Sequence, residues 1–219
     1  MNQLALDLLQ PLQPQLSNFI AGRNAEALAA LQALAAGGSA ERSVYLWGGS
    51  GCGRTHLARA LLAAGGWAWT ADGDPERPGL AVLDRVEPLD GPGQVALFNR
   101  LNAVRANPRC ASVVTGDTAP AQLALREDLR TRLGWGLVYQ LQPLTDDEKL
   151  AALRAHAAAR GVQVAEDLLP YVLSHLPRDL RTLTAALDAL DAFALARQRA
   201  LTVPLLKDWL AQAGAAPPP

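Results

Sequence analysis

Residues 44–62 read VYLWGGSGCGRTHLARALL, and their reading decides the fold. Val44, Tyr45, Leu46 and Trp47 make an apolar run of the length a buried strand needs. Gly48-x-x-x-x-Gly53-Arg54-Thr55 comes next, and a helical run after it. This is the frame of a phosphate-binding loop, G-x-x-x-x-G-K-[ST], with arginine in the lysine place. Chemistry explains the residue types. Glycines at 48, 49, 51 and 53 let the backbone turn sharply and aim its N–H groups inward. The helix that opens near Thr55 adds the positive end of its dipole to the same cradle, and Thr55 offers a hydroxyl to Mg²⁺. The bland alternative is a Gly-rich strand-to-helix turn with no ligand. The strand before, the helix after and Thr in the last place weigh against it.

The chain has 219 residues, enough for one good core and a small second domain. Half of them are hydrophobic and 19% are charged, which places it among ordinary globular proteins. A net charge of −1 and a pI near 6.3 argue against a protein whose main work is coating nucleic acid. The two cysteines, Cys52 and Cys110, read as reduced cytosolic thiols, with Cys52 a neutral spacer in the loop. No apolar run approaches the ~20 residues that span a membrane, and the first residues lack the pattern of a secretory leader. The expected location is therefore cytoplasmic.

Around the loop, strands alternate with helices. Apolar segments at 44–47, 67–70, 80–83, 111–115 and 137–141 read as strands. Helical runs at 94–105 and 118–133 lie between the later ones, and Asn24 reads as the N-cap of a helix reaching 34, ended by Gly37-Gly38. The pattern predicts a five-stranded parallel α/β sheet flanked by helices, spanning 19–143. The segment TADGDPERPG, residues 70–79, leaves no room for a crossover helix, so one unit of the fold is trimmed. After Pro143 the strand signal fades. Thr145 and Glu148 form a capping box, and helices are expected at 146–160, 167–176, 178–197 and 203–213. Residues 144–213 thus read as a small all-helical subdomain, and 214–219 as a disordered tail. At the other end, Leu4, Leu6 and Leu8 alternate before Pro11 and Pro14. Residues 1–18 read equally as an edge strand on their own domain or as a docking peptide on a linker.

More chemistry sits at the strand ends. Asp84 closes the apolar strand 80–83, where an acid beside a phosphate loop holds Mg²⁺ through water. An efficient ATPase needs a second acid next to it, and that place holds Arg85. Glu87 is either a substitute or a solvated loop residue. Arg54 is always charged and can grip phosphate with its fork, but it is longer and more planar than lysine. Both departures predict nucleotide binding with weak or absent hydrolysis. Thr115 and Asp117 end another strand, where ligands of parallel sheets sit. Either reads a terminal phosphate, or Asp117 merely forms a turn. Arg132 and Arg181 complete the order loop, acid, strand-end polar group, arginine, helical lid, arginine.

That order resembles an AAA+ ATPase. FIAGRNAEAL (19–28) resembles the nucleotide-binding start of the DnaA family, with Gly22 and Asn24 in the motif. VVTGDTAP (113–120) resembles its sensor 1 segment, TRLGWGL (131–137) its arginine-finger box, and RDLRTLTAALDAL (178–190) its sensor 2 helix. Gly-Arg-Thr in the loop and QLALDL at 3–8 resemble the Hda family, the regulatory inactivators of DnaA. The resemblance implies an AAA+ core with a helical lid. It implies an adenine nucleotide, ADP or ATP, with Mg²⁺, held by Gly22, Asn24, Gly48, Gly51, Gly53, Arg54, Thr55, Asp84, Thr115, Asp117 and Arg181. It implies that Gln3, Leu4, Leu6 and Leu8 bind the DNA polymerase III β sliding clamp, and that Arg132 acts in trans on ATP held by DnaA. DNA would be reached indirectly through the loaded clamp, with a homodimer or higher oligomer possible. Departures are the shortened 70–80 segment and Asp7 within the clamp peptide. An autonomous ATPase or helicase-loader-like remodeller, and a nucleotide-independent adaptor, are the competing classes.

Overall fold

The apolar run forms strand β1 (Ser43–Trp47), and its side chains alternate between the two faces of a sheet. Val44 and Leu46 join one buried cluster with Ala27, Leu31, Leu57 and Leu61. Tyr45 points to the other face, into a cluster with Leu97, Leu101, Leu129 and Leu133. The computed structural model describes residues 13–212. They fall into two units that divide after Pro143.

In the first unit, β2 (Trp67–Ala68), β3 (Gly79–Leu83), β4 (Cys110–Gly116) and β5 (Leu137–Gln140) complete the sheet. The order is β2-β3-β4-β1-β5 and every pairing is parallel. Val44 lies opposite Val113 and Trp47 opposite Gly116, so β1 and β4 end together. Helices α1 (Ala25–Ala35) and α2 (Arg54–Ala63) supply the Leu31 and Leu57 side of the core. Helices α3 (Gly91–Ala106) and α4 (Glu127–Leu133) supply the opposite side. This is the three-layer solution that a parallel sheet with two apolar faces demands.

Three expectations need correction. Asn24 precedes α1, but its side chain makes no cap bond. It is buried instead, donating from Nδ2 to Gln142 O (2.9 Å) and accepting at Oδ1 from Gln142 N (2.7 Å). Its amide acts as one rung of a strand ladder, which satisfies two backbone groups at the end of β5. The run at 118–133 is not one helix. A 3₁₀ turn at Pro120–Gln122 and an extended Arg126 precede the seven-residue α4, because Pro120 cannot donate within a helix and starts a new turn. Strand 67–70 shrinks to two residues, with one further bond from Trp69 N to Val82 O.

The β2–β3 link is the helix-free loop that the sequence predicts, and one side chain holds it. Arg100, on α3, has no exposed surface. Its five N–H groups find five acceptors: Ser112 Oγ (3.2 Å), Pro75 O (3.0 Å), Arg77 O (2.6 Å), Gly79 O (2.9 Å) and Ala111 O (2.8 Å). No carboxylate pairs with it among the described residues. Burial pulls its guanidinium below the ordinary value.

The second unit contains α5 (Asp146–Ala159), α6 (Leu168–His175), α7 (Leu180–Arg197) and α8 (Val203–Gln212). Thr145 and Glu148 close the expected capping box on α5. Leu153, Leu168, Leu183, Leu187, Leu190, Leu205 and Leu206 form its core. His156 Nε2 meets Asp188 Oδ1 at 2.6 Å, joining α5 to α7.

Candidate functional site: the loop and the strand ends

Residues 48–53 leave β1 and enter α2 without a side-chain cap. Two glycines are required there by contact. A Cβ at Gly48 would lie 2.5 Å from Leu141 O and 2.9 Å from Cys52 Sγ. Gly53 sits at φ +102°, in the left-handed region, and a Cβ would lie 2.6 Å from the Phe19 ring. Phe19 therefore presses on the last turn of the loop, beside His56 of α2 (ring centroids 5.5 Å). Burial lowers the His56 pKa. At Gly49 and Gly51 an added Cβ would meet nothing within 4 Å, so the middle of the loop faces open space. Cys52 is buried in the core, as a spacer would be.

Arg54 and Thr55 open α2, with Thr55 exposed. The Arg54 side chain is only 12% exposed, and its Nη1 lies 2.5 Å from Asp117 Oδ1. The contact is one of charge alone: that nitrogen's N–H directions find no aligned acceptor. Asp117 N donates to Glu87 Oε1. Glu87 Oε2 is buried and unpartnered among the described residues. Thr115 is fully buried, and its hydroxyl donates to Asp84 Oδ1 (2.8 Å) while accepting from Arg85 N (2.8 Å). Arg85 holds φ +70°, a costly conformation for a non-glycine residue of the kind found at functional sites. Tyr45 runs beneath this corner and donates to Thr118 O (2.8 Å). Burial and then the Glu87 charge push its hydroxyl far up, so it stays a protonated donor.

The fold thus brings two small groups to neighbouring strand ends, Arg54 with Asp117 and Glu87, and Thr115 with Asp84. An orphan buried donor on Arg54, next to an open glycine loop, fits a phosphate-bearing ligand, while the orphan carboxylate oxygen of Glu87 calls for a donor and not for an anion. Among the described residues no three His, Cys, Asp or Glu side chains could hold a metal ion by themselves. Mg²⁺ in such a site would be held by Thr55 and Asp84 together with the ligand's own phosphates. Gly22 and Asn24 form a 3₁₀ turn ahead of α1, and Asn24 is committed to Gln142. Arg181 lies exposed in the first turn of α7, in the second unit. Gln3, Leu4, Leu6 and Leu8 lie outside the described residues.

Arg132 occupies the last turn of α4. Its guanidinium stacks 3.7 Å from the centroid of the Trp135 ring and lies 5.1 Å from that of Phe98. Arg105 covers Trp135 as well, at 4.4 Å. Trp135 is 49% exposed. The sequence points to Trp135 only as part of a motif, and Glu87 only as one of two options. Their contacts appear once α3, α4 and the strand ends are assembled.

The sheet order and the loop define the class of fold: a parallel α/β sheet with a phosphate-type loop after its β1 strand, as AAA+ modules have. Domain III of the Thermotoga maritima replication initiation protein DnaA superposes with a TM-score of 0.73 at 20% identity, over 90% of this chain and 97% of that one. AMPPCP-bound DnaA from Aquifex aeolicus gives 0.69 at 20% identity, over 82% of this chain and 65% of that one. The Thermotoga maritima RuvB Holliday junction branch migration motor gives 0.67 at 15% identity, over 91% and 72%. Residues 146–210 match the family described as Hda, lid domain. The chain thus shares the fold of DnaA domain III, and its helical unit is similar to the Hda lid domain.

Proposed function

We propose that this chain regulates replication initiation as an AAA+ protein with ADP bound. It docks on the β sliding clamp through residues 3–8 and stimulates hydrolysis of the ATP held by DnaA. The observation that carries this reading is Arg132. It has no carboxylate partner and no hydrogen-bond acceptor among the described residues, and it rests on an exposed indole. A guanidinium held by stacking keeps its donor fork available to phosphate oxygens of another molecule. The Hda lid at 146–210 supports the same reading. The direct test is hydrolysis of DnaA-bound ATP with DNA-loaded clamp present, with and without this protein. No acceleration would refute it. A chain lacking residues 1–9 should fail to bind the clamp and lose stimulation, with its melting temperature unchanged. Two buried leucines supply roughly 3–6 kcal/mol of gross burial, and Pro11 and Pro14 stand between the peptide and the first helix of the α/β unit. Unchanged clamp affinity would refute that docking site.

Glu87 favours a second reading, an autonomous ATPase, because its carboxylate turns into the strand-end network instead of into solvent. Against it stand Arg54 in the lysine place and Arg85 beside Asp84. The expected steady-state ATP turnover of the isolated protein is well below ~1 s⁻¹, the low end for typical enzymes. A phosphate-release assay near or above that rate would favour the autonomous ATPase.

A further inference from the structure

Three donors in the strand-end corner could receive a third phosphate, and each already serves a carboxylate of this chain. Arg54 faces Asp117, the Thr115 hydroxyl donates to Asp84, and the Asp117 backbone N–H donates to Glu87. Three acids thus stand against one arginine. The glycine loop and the N-terminus of α2 carry no such occupants, and an added Cβ at Gly49 or Gly51 meets nothing. We propose that Asp117 is a built-in substitute for the third phosphate of a nucleotide, so that the site selects a nucleoside diphosphate over a triphosphate. The inference rests on the nucleotide-binding reading and names the residue that sets the selectivity.

The physical argument is charge placed beside charge. In a phosphate loop the lysine-place residue serves the β- and γ-phosphates. Here its guanidinium is 2.5 Å from a carboxylate that is itself half exposed, at the mouth of the site and not in the core. A diphosphate can use the loop N–H groups and the α2 N-terminus and leave this pair standing. A triphosphate must displace the Asp117 carboxylate from Arg54, or else add its own charge next to Asp117, Glu87 and Asp84. Either route costs more than the same step in a site lined by neutral donors. The Arg54–Asp117 contact lacks aligned hydrogen bonds, so the pair is a weak lock, set by sign and not by directional bonding.

The test is calorimetric titration with ADP and with the non-hydrolysable analogue AMPPCP, each with Mg²⁺, on the full chain. Wild type should bind ADP at least ~10-fold more tightly than AMPPCP. In Asp117→Asn that ratio should fall about tenfold, the scale of removing one unit charge beside the added phosphate. Glu87→Gln should move the ratio the same way by a smaller factor and serves as the second variant. Equal binding of both nucleotides by wild type, or a ratio that neither variant moves, overturns the proposal and leaves the nucleotide-binding reading standing. Failure of wild type to bind either nucleotide overturns both.

Discussion

Replacing Arg132 with alanine is expected to abolish stimulation of DnaA's ATPase while leaving the protein folded and able to bind clamp and nucleotide. An arginine delivered to a γ-phosphate acts on charge that accumulates in the transition state, so its loss appears in rate and hardly in binding. Where such fingers are known they contribute ~10³–10⁵ in rate. The structural cost is small. Arg132 loses a stacking contact with Trp135 that is worth about 0.5–1 kcal/mol at an exposed site. That shifts the melting temperature by under ~4 °C in a protein of this size. Arg132→Lys should fail as well, because a single ammonium cannot span two phosphate oxygens as the planar fork does. If Arg132 only packs on the surface, both variants stimulate DnaA as well as wild type does. The measurement is DnaA-bound ATP hydrolysis with DNA-loaded clamp, and full activity in the alanine variant would end the finger assignment.

Legibility in the sequence depends on how far each interaction reaches along the chain. The glycine frame at 48–55, the strand before it and the capping box at Thr145 depend on neighbours within a few residues. Their pattern is therefore complete in one stretch. Asn24 shows the limit. Its residue type and place favour a cap, yet its partner Gln142 lies 118 residues away, and only the assembled sheet brings the two together. Asp117 reads locally as a turn former or a phosphate reader. Its ion pair with Arg54 depends on the ends of β1 and β4 lying side by side, which the register Trp47 to Gly116 arranges. The helix expected over 118–133 rests on summed propensity, and Pro120 with the extended Arg126 overrides it. Arg100 is the least legible. In VALFNRLNAVRA it reads as one more solvated arginine on a helix. The signal that points to it is one of hydrogen-bond accounting. A loop at 70–79 with no helix and no ladder leaves carbonyls open to a donor from the neighbouring helix.

Replacing Arg100 with methionine is expected to produce a large loss of stability in the α/β unit. Methionine keeps much of the apolar stem and removes all five donors. The carbonyls of Pro75 and Arg77 belong to a loop outside any strand, and they lose the guanidinium that donates to them at 3.0 and 2.6 Å. Those of Gly79 and Ala111 lose it at the point where β3 and β4 begin. An acceptor left unsatisfied away from water costs about 1–3 kcal/mol; Pro75, Arg77 and Gly79 are exposed residues, so water recovers part of that. A net loss of about 3–5 kcal/mol is expected, a large share of the ~5–15 kcal/mol by which domains are stable. The melting temperature should fall by roughly 10 °C or more. Arg100→Lys should lose less, since an ammonium keeps a charge and three donors but cannot reach five acceptors in one plane. Arg199→Ala, which breaks an exposed pair with Asp208 at 2.8 Å, serves as the control and should cost no more than ~1 kcal/mol. Amide exchange adds a local reading: protection at residues 79–83 and 110–112 should fall first in the methionine variant, because Arg100 ties the starts of these two strands to the loop. If Arg100→Met unfolds within ~1 kcal/mol of wild type, the five bonds are individually replaceable by water. The short β2–β3 link would then be held by strand pairing and the packing of α3 alone.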